Sequence, residues 1–174
     1  MTPAADWTIE TLASSTPGAL SDTDLDQLEP LWRSLMDRHR EAWHLVATRS
    51  YEDSWPRRRA QYREWLSAPG SFVLVARRAG LLLGYAVVGI QEGDETYATG
   101  DHQAEIHTLA VLPGERKRGI GSALMDELER RLFADGVTDV FVASMHGNDE
   151  ARRFYERRGY APFVHVSYRK LDEE

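Results

Sequence analysis

A basic segment that contains two glycines has the residue types of a phosphate-binding turn. It consists of Arg116, Lys117, Arg118, Gly119, Ile120, Gly121 and Ser122. An alternating apolar run precedes the segment and a helical pattern follows it at once. A strand that passes through such a turn into a helix directs backbone N–H groups and the positive end of the helix dipole at one point. Because glycine also lets a ligand approach the main chain, the segment predicts a phosphate site.

Two other phosphate-binding motifs do not fit these residues. Gly114 and Gly119 have Walker A spacing, but Ile120 stands where an NTPase needs lysine. A Rossmann fingerprint that begins at Gly119 needs a glycine at the position of Leu124. The remaining alternative is a glycine turn with a solvated basic run, and the flanking strand and helix favour the phosphate site over it.

The composition limits the class of protein. The chain has 174 residues and 42% hydrophobic content, which favours one domain over residues 1–174. It contains no cysteine, and this excludes disulfides, thiolate zinc sites and a cysteine nucleophile. No signal-peptide pattern opens the sequence, and no run approaches the roughly 18 apolar residues of a membrane span. We therefore expect a cytoplasmic protein with no membrane partner.

The charge argues against nucleic acid as a partner. The net charge is −7, so counterion release on binding nucleic acid would be weak. An acidic protein suits a cationic small molecule or peptide, although acidity also serves solubility alone. His102, Glu105 and His107 have no recognised metal-ligand spacing, and we expect no metal site.

The first third of the chain predicts one strand and two helices. Alternation over residues 7–12 indicates the strand, and residues 14–18 break it. A capping box of Ser21 and Asp24 begins the first helix, which is expected to continue towards Val46. The second helix is expected over residues 57–66, because the proline before it is favoured at a helix start.

The remainder predicts alternating strands and helices. Strands are expected at 72–76, 81–90, 105–112, 137–145 and, singly or as a pair, within 160–171. One helix is expected to begin after Gly119 and end near Gly136, and another is expected to start within Gly147-Asn148-Asp149 and continue through Arg157. The predicted order is therefore β-α-α-β-β-β-α-β-α-β(-β), which is a mixed α/β arrangement.

Three features accompany the basic segment. The segment is preceded by Leu109-Ala110-Val111-x-Pro113 and is followed by Asn148-x-x-Ala151-x-x-Phe154-Tyr155-x-x-x-Gly159-Tyr160. The predicted hairpin contains Leu83-Gly84-Tyr85-Ala86-Val87. The spacing Arg116-x-x-Gly119-x-Gly121 matches Gln/Arg-x-x-Gly-x-Gly/Ala. Together these features resemble the GCN5-related N-acetyltransferase (GNAT) superfamily, whose signature loop binds the pyrophosphate of acetyl-coenzyme A. The resemblance covers about residues 71–163.

The resemblance implies a three-layer α/β fold of mixed α+β character. Its central mixed sheet would have six to seven strands, splayed between the strands at 105–112 and 137–145. It implies acetyl-CoA as the cofactor, with pantetheine along the strand that ends at Val111. The implied cofactor-binding residues are Leu109, Ala110, Val111, Arg116, Lys117, Arg118, Gly119, Ile120, Gly121, Ser122, Asn148 and Tyr155.

Transfer to an amine requires two proton handlers. An amine with a pKa near 10.4 is neutral in about one molecule in a thousand near pH 7.4, so a base must take its proton. Glu105, His107 and Leu109 are expected on one strand face by the period of two. By resemblance, Glu105 and His107 each hold a position where GNAT enzymes carry a base, and either is a candidate, directly or through water. Tyr155 holds the position of the acid that protonates the departing thiolate.

The resemblance also places the acceptor pocket. It would lie among the first two helices, the loop before the central strand and the C-terminal strands. The candidates there are His39, Trp43, His44, Trp55, Glu92, Asp94, Glu95, Tyr97 and Asp101. Aromatic rings with carboxylates suit a cationic amine. Core packing of Trp43 and a solvated face for the loop carboxylates are the alternatives.

Two functional hypotheses follow. The first is an acetyl-CoA-dependent N-acetyltransferase that moves the acetyl group directly to a primary amine of a small molecule or peptide. Direct transfer is expected because no cysteine is present to form an acetyl-enzyme. The alternative is a non-catalytic acyl-CoA-binding sensor or regulatory domain of the same fold. The sequence leaves open whether the chain forms a homodimer.

Overall fold

A computed structural model describes residues 6–14 and 21–171 of the chain. The strands within these ranges are β1 (Thr8–Ser14), β2 (Phe72–Arg78), β3 (Leu81–Glu92), β4 (His102–Val111) and β5 (Asp139–Val142). The helices are α1 (Asp22–Asp26), α2 (Glu29–Ala42), α3 (Tyr51–Trp65), α4 (Ile120–Ala134) and α5 (Asp149–Arg157). Most of the turn expected at residues 14–18 lies outside the described residues. None of the described helices combines the length and apolar character needed to cross a bilayer.

The strands form one mixed sheet in the order β1-β2-β3-β4-β5. The first four are antiparallel, and β5 is parallel to β4. Alternate residues of β2 enter two core clusters, because successive side chains point to opposite faces. Helix α4 packs on one face, and α1, α2 and α3 pack on the other. The predicted three-layer α/β fold is confirmed.

Strands β4 and β5 separate after four residue pairs. Their pairing runs from Gln103 opposite Asp139 to Ile106 opposite Val142. β4 then continues to Val111, where β5 no longer accompanies it. The predicted splay is confirmed, and it leaves the carboxyl half of β4 facing a groove.

A β-bulge at His107 reverses the faces of β4. Val88 is opposite Ile106 and Val87 is opposite Thr108, so His107 is the extra residue. His107 and Thr108 therefore both face α3, and Leu109 packs with the α4 cluster. The prediction that Leu109 shares a face with Glu105 and His107 is wrong, because a bulge shifts the period of two by one residue.

The predicted helix from Ser21 towards Val46 is two helices. The capping box is present, with Ser21 Oγ accepting from the Asp24 N–H at 3.2 Å. Helix α1 nevertheless ends at Asp26, because the ring of Pro30 would clash with the carbonyl four residues earlier. Proline is tolerated in the first turn of α2, which therefore begins anew beside it.

The start of the next helix was predicted too late. Helix α3 begins at Tyr51, because Ser50 Oγ accepts from the Asp53 N–H at 3.1 Å and caps it. Pro56, expected at the helix start, lies inside the helix. The serine cap decides the boundary here.

The sheet has five strands in the described residues, and the prediction of six to seven is wrong. Residues 160–171 were expected to supply the closing strands and have no regular secondary structure. Phe163 contacts the rings of Tyr97 and Phe141, but Val164 and Val166 are 73% and 85% exposed. An alternating apolar pattern does not by itself form a strand when there is no core against which the apolar side chains can pack.

Gly84 sets the distance between β3 and α4. A β-carbon at this position would lie 3.0 Å from the Ala110 carbonyl oxygen and 3.2 Å from Ile120 Cγ2. The first neighbour is backbone and has little freedom to move. The N-terminus of α4 therefore lies close to the sheet only because residue 84 has no side chain.

We predict that Gly84→Ala lowers the free energy of unfolding by about 1–3 kcal/mol through overpacking. Urea denaturation followed by circular dichroism measures this change. Gly114→Ala is the matched control, because a β-carbon there would have no neighbour within 4 Å. Equal stability of the two variants would contradict the packing argument.

Candidate active site

A groove of about 1020 Å³ lies where β4 meets α4, bounded by α5 and the end of α2. Ten of the twelve predicted cofactor-binding residues line it: Leu109, Ala110, Val111, Arg116, Lys117, Gly119, Gly121, Ser122, Asn148 and Tyr155. The structure therefore brings residues from three separate motifs to one place. Their contacts with a cofactor stay a prediction.

Two predicted side chains lie elsewhere. Arg118 is 61% exposed and pairs with Glu115 at 3.3 Å. Ile120 is 1% exposed, because the first turn of α4 directs it into the core against β3. Only the backbone of Ile120 remains available to a ligand in the groove.

The N-terminus of α4 has backbone N–H groups without a partner in the helix. Gly119 has φ 87°, a left-handed conformation, and no side chain in the described residues caps the helix. The first intrahelical bond runs from the Ala123 N–H to the Gly119 carbonyl at 2.9 Å. The N–H groups of residues 120–122 therefore have no helical acceptor, and a phosphate would satisfy them.

Arg116 ties the loop to the end of β4. Its Nε donates to the Val111 carbonyl oxygen at 3.2 Å. Burial lowers the pKa of Arg116, and nearby Arg38 lowers it further, while Glu150 and Glu41 oppose the change. The guanidinium stays charged at neutral pH because its ordinary pKa is far higher.

Helix α2 supplies groove residues that the sequence reasoning missed. Leu35, Arg38 and Ala42 lie on one face of the helix and line the groove. Arg38 forms an ion pair with Glu150 in the first turn of α5. The spacing of Leu35, Arg38 and Ala42 indicates a shared helix face. The neighbouring sequence does not indicate which part of the protein that face contacts.

His107 is enclosed by an aromatic ring and a glycine. Its ring stacks on Trp65 at 3.7 Å between centroids and 8° between planes. A β-carbon on Gly89 would lie 2.4 Å from His107 Nε2, so only glycine leaves room for the imidazole. Burial lowers the pKa of His107, Glu105 opposes this, and Arg58 lowers it further. The ring is therefore neutral at pH 7.

Glu105 is the more accessible of the two candidate bases. Its side chain is 36% exposed, whereas that of His107 is 8% exposed. Gln91 Nε2 donates to Glu105 Oε2 at 3.0 Å, and His107 Nδ1 lies 3.6 Å from Glu105 Oε1. One carboxylate oxygen is thus held by an amide and the other faces the imidazole.

Tyr155 and Asn148 come to the groove on α5. Burial raises the pKa of Tyr155 to about 12, so its phenol is protonated at neutral pH. The ring packs against Phe154 and Tyr160. Asn148 Oδ1 accepts from the Ala151 N–H at 3.3 Å and caps the helix. Asn148 therefore has a structural role as well as its place in the groove.

The residues predicted for the acceptor pocket do not form one cluster. Trp55 is buried and its Nε1 donates to Asp26 at 2.9 Å, so it belongs to the core. Trp43 contacts His146 edge-on at 5.4 Å. Asp94 Oδ1 accepts the N–H groups of Thr96 and Tyr97, which fixes the loop. The remaining candidates are His39 and His44 near the end of α2, and Glu92, Glu95 and Asp101 around the β3–β4 loop.

We predict that Trp65→Leu raises the pKa of His107 towards its ordinary value near 6.5, because the imidazole gains contact with water. Two-dimensional NMR titration of the histidine rings measures it. Trp43→Leu removes an indole that contacts His146 instead, and it should leave the His107 titration unchanged. An unaltered His107 pKa in Trp65→Leu would exclude the stacked indole as the cause of burial.

The same pKa shift has a consequence for stability. Because the folded-state pKa lies below the unfolded value, the unfolded chain binds more protons as pH falls below about 6.5. Protonation of His107 therefore favours unfolding. At pH values well above 6.5, His107 is unprotonated in both states and does not change the free energy of unfolding.

Comparison with known proteins agrees with this geometry. Residues 32–160 match the acetyltransferase (GNAT) family. Over 101 residues the chain is 31% identical to an uncharacterized N-acetyltransferase of Mycobacterium bovis, and this match covers 58% of the chain and 60% of the relative. The chain thus spans about three fifths of the curated relative that it matches.

Solved structures share the fold. A putative acetyl transferase from Pyrococcus furiosus superposes with a TM-score of 0.72 at 22% identity, over 95% of this chain and 99% of that one. An aminoglycoside N-acetyltransferase in complex with CoA has a TM-score of 0.66 at 16% identity, over 95% and 94% of the two chains. Since the family match covers more than half of the sequence, the chain belongs to the acetyltransferase (GNAT) family that its motifs resemble.

Proposed function

We propose that the protein transfers the acetyl group of acetyl-CoA directly to a primary amine of a small molecule or peptide. The observation that carries this proposal is the continuity of β4. The strand bears a carboxylate at Glu105, loses its β5 neighbour after Ile106, and leads to the uncapped N-terminus of α4. The candidate base and the candidate anion site are therefore linked by one strand and the loop that follows it.

The residues of the groove fit coenzyme A. The groove has a volume of about 1020 Å³, and its wall carries the free N–H groups of the first turn of α4. A β-carbon on Gly121 would lie 3.7 Å from Val111 Cγ2 and 3.8 Å from Phe154 Cζ, so it would occupy groove space. When bound, acetyl-CoA supplies an activated thioester. The backbone at residues 119–122, with Arg116 and Lys117, would hold its phosphates.

Glu105 is the proposed proton acceptor. A protonated amine must lose a proton before it can attack, and an ionised carboxylate accepts one. Glu105 is accessible from solvent, whereas His107 is covered by Trp65 and Gly89. We therefore assign the base to Glu105. Neutral His107 then positions the carboxylate, with its Nδ1 facing Oε1.

Tyr155 is the proposed donor to the leaving group. Its phenol keeps its proton at neutral pH because burial raises its pKa to about 12. A thiolate has a conjugate acid near 8.5, so the buried phenol acts chiefly as a hydrogen-bond donor until negative charge has developed. Tyr155 lines the same groove as Gly121 and Val111, which supports this role.

The acceptor is proposed to be a cationic amine. Glu92 and Asp101 flank the β3–β4 loop beside the start of β4, and the whole protein carries a net charge of −7. Such a field favours approach of a cation. One structural neighbour is named an aminoglycoside N-acetyltransferase, and at 16% identity this likeness supports the fold alone.

We predict that CoA at about 100 times its dissociation constant raises the melting temperature by roughly 5–10 °C, because it binds only the folded state. Gly121→Glu should abolish this rise, since it places an anion in the groove. Gly114→Glu is the control, because it adds the same charge at a glycine where a β-carbon would have no neighbour within 4 Å. Differential scanning fluorimetry measures the shift. Absence of any shift in the wild type would remove the cofactor assignment.

We predict that the wild type releases thiol from acetyl-CoA only when an amine acceptor is added, and that Glu105→Gln lowers kcat by about 10²–10⁴-fold. A thiol-release assay with a panel of polyamines, aminoglycosides and peptide amines measures both. Glu127→Gln, whose partner is Arg130 on the outer face of α4, should retain full activity. A wild type that binds CoA without turning over any amine would instead indicate the sensor function.

A further inference from the structure

Arg38 and Glu150 form an ion pair across the groove. Arg38 comes from α2 and Glu150 from the first turn of α5, and both line the groove. Their side chains are 32% and 45% exposed, so solvent and ligands can reach them. Five cationic and four anionic side chains line this groove, which leaves most of its positive charge neutralised.

The ion pair is not what holds α2 against α5. A β-carbon on Gly147 would lie 2.6 Å from the Ala42 carbonyl oxygen, so the two backbones are already in contact. Trp43 and His146 add an edge-on ring contact at 5.4 Å. Since these contacts join the end of α2 to the segment before α5 independently of the ion pair, the ion pair can change partners without separating the two.

Arg38 also lies close to a second guanidinium. Both arginines line the groove, and Arg38 lowers the pKa of Arg116, whereas Glu150 and Glu41 act in the opposite direction. Two like charges that line one groove repel each other, and a nearby anion reduces this repulsion. Glu150, which pairs with Arg38 and also acts on Arg116, supplies such an anion.

We propose that Arg38 is a phosphate ligand of the cofactor, which exchanges Glu150 for a phosphate of CoA when the groove is loaded. This inference rests on the cofactor of the proposed function. A phosphate accepts two parallel bonds from a guanidinium and carries more charge than a carboxylate, so the exchange favours binding. Glu150 then acts as a competitor that the cofactor must displace from Arg38.

The exchange makes opposite predictions for the two partners. Arg38→Gln should weaken CoA binding by about tenfold, because one charge-assisted contact is lost. Glu150→Gln should tighten binding about threefold or more, because Arg38 no longer has a competing partner. In the double variant most of the tightening by Glu150→Gln should disappear, because only the action of Glu150 on Arg116 remains to be removed. Isothermal titration calorimetry with CoA measures all four dissociation constants without any need for turnover.

Glu156→Gln is the matched control. It removes the same charge from the same helix, but Glu156 pairs with Arg152 at 2.7 Å and lies outside the groove lining. It should leave the dissociation constant unchanged. Circular dichroism and melting temperatures of every variant establish that each one folds.

Three results would overturn the exchange. They are weaker binding by Glu150→Gln, a tightening by Glu150→Gln that is as large without Arg38 as with it, and unchanged binding by Arg38→Gln. Each of these leaves the proposed function intact as long as the wild type binds CoA. Absence of binding by the wild type would overturn the proposed function as well. Titration with CoA that lacks its 3′-phosphate identifies the phosphate that Arg38 binds. If Arg38→Gln still weakens binding of this ligand, Arg38 binds the diphosphate. If the weakening disappears, Arg38 binds the 3′-phosphate.

Discussion

The separation of β4 from β5 is the constraint on which the candidate site depends. Parallel pairing ends at Ile106, and the next five residues of β4 have no β5 neighbour in the described sheet. A strand edge carries unpaired backbone groups that need another partner. At the end of this edge the chain turns at Gly119 and begins α4 without a side-chain cap. The edge of β4 and the N-terminus of α4 both expose polar backbone groups to the same groove. One extended ligand with phosphates could form hydrogen bonds with both.

The bulge at His107 divides the strand between two tasks. Before it, Glu105 faces the α1–α3 side, and His107 stacks there on Trp65. After it, Leu109 and Val111 pack on the α4 side, where the groove lies. A regular strand would place Glu105, His107 and Leu109 on one face. The inserted residue therefore lets one strand present two titratable side chains to one side and a hydrophobic groove wall to the other.

Local patterns predicted the parts of the fold that local chemistry decides. The Ser21–Asp24 capping box, the β2–β3 hairpin and the start of α4 at Gly119 all follow from residues close in sequence. The free N–H groups at the start of α4 could be predicted for the same reason, because they belong to one turn. The bulge at His107 could not, since it depends on Gly89 of the neighbouring strand leaving space for an imidazole. Closing strands within residues 160–171 were predicted from alternation, but the exposed Val164 and Val166 have no core to receive them.

The contribution of α2 to the groove shows why the remainder of the site needed the structure. Arg38 lies 112 residues from Glu150 in sequence, and no spacing rule connects them. Their contact exists because Gly147 lets the chain after β5 approach the carbonyl of Ala42. Under the proposed function, a protein with a net charge of −7 would bind a polyanion in a groove whose cations are partly neutralised by carboxylates. Such neutralisation limits repulsion among the arginines in the ligand-free protein. If the groove holds CoA as proposed, phosphate and carboxylate then compete for the same guanidinium.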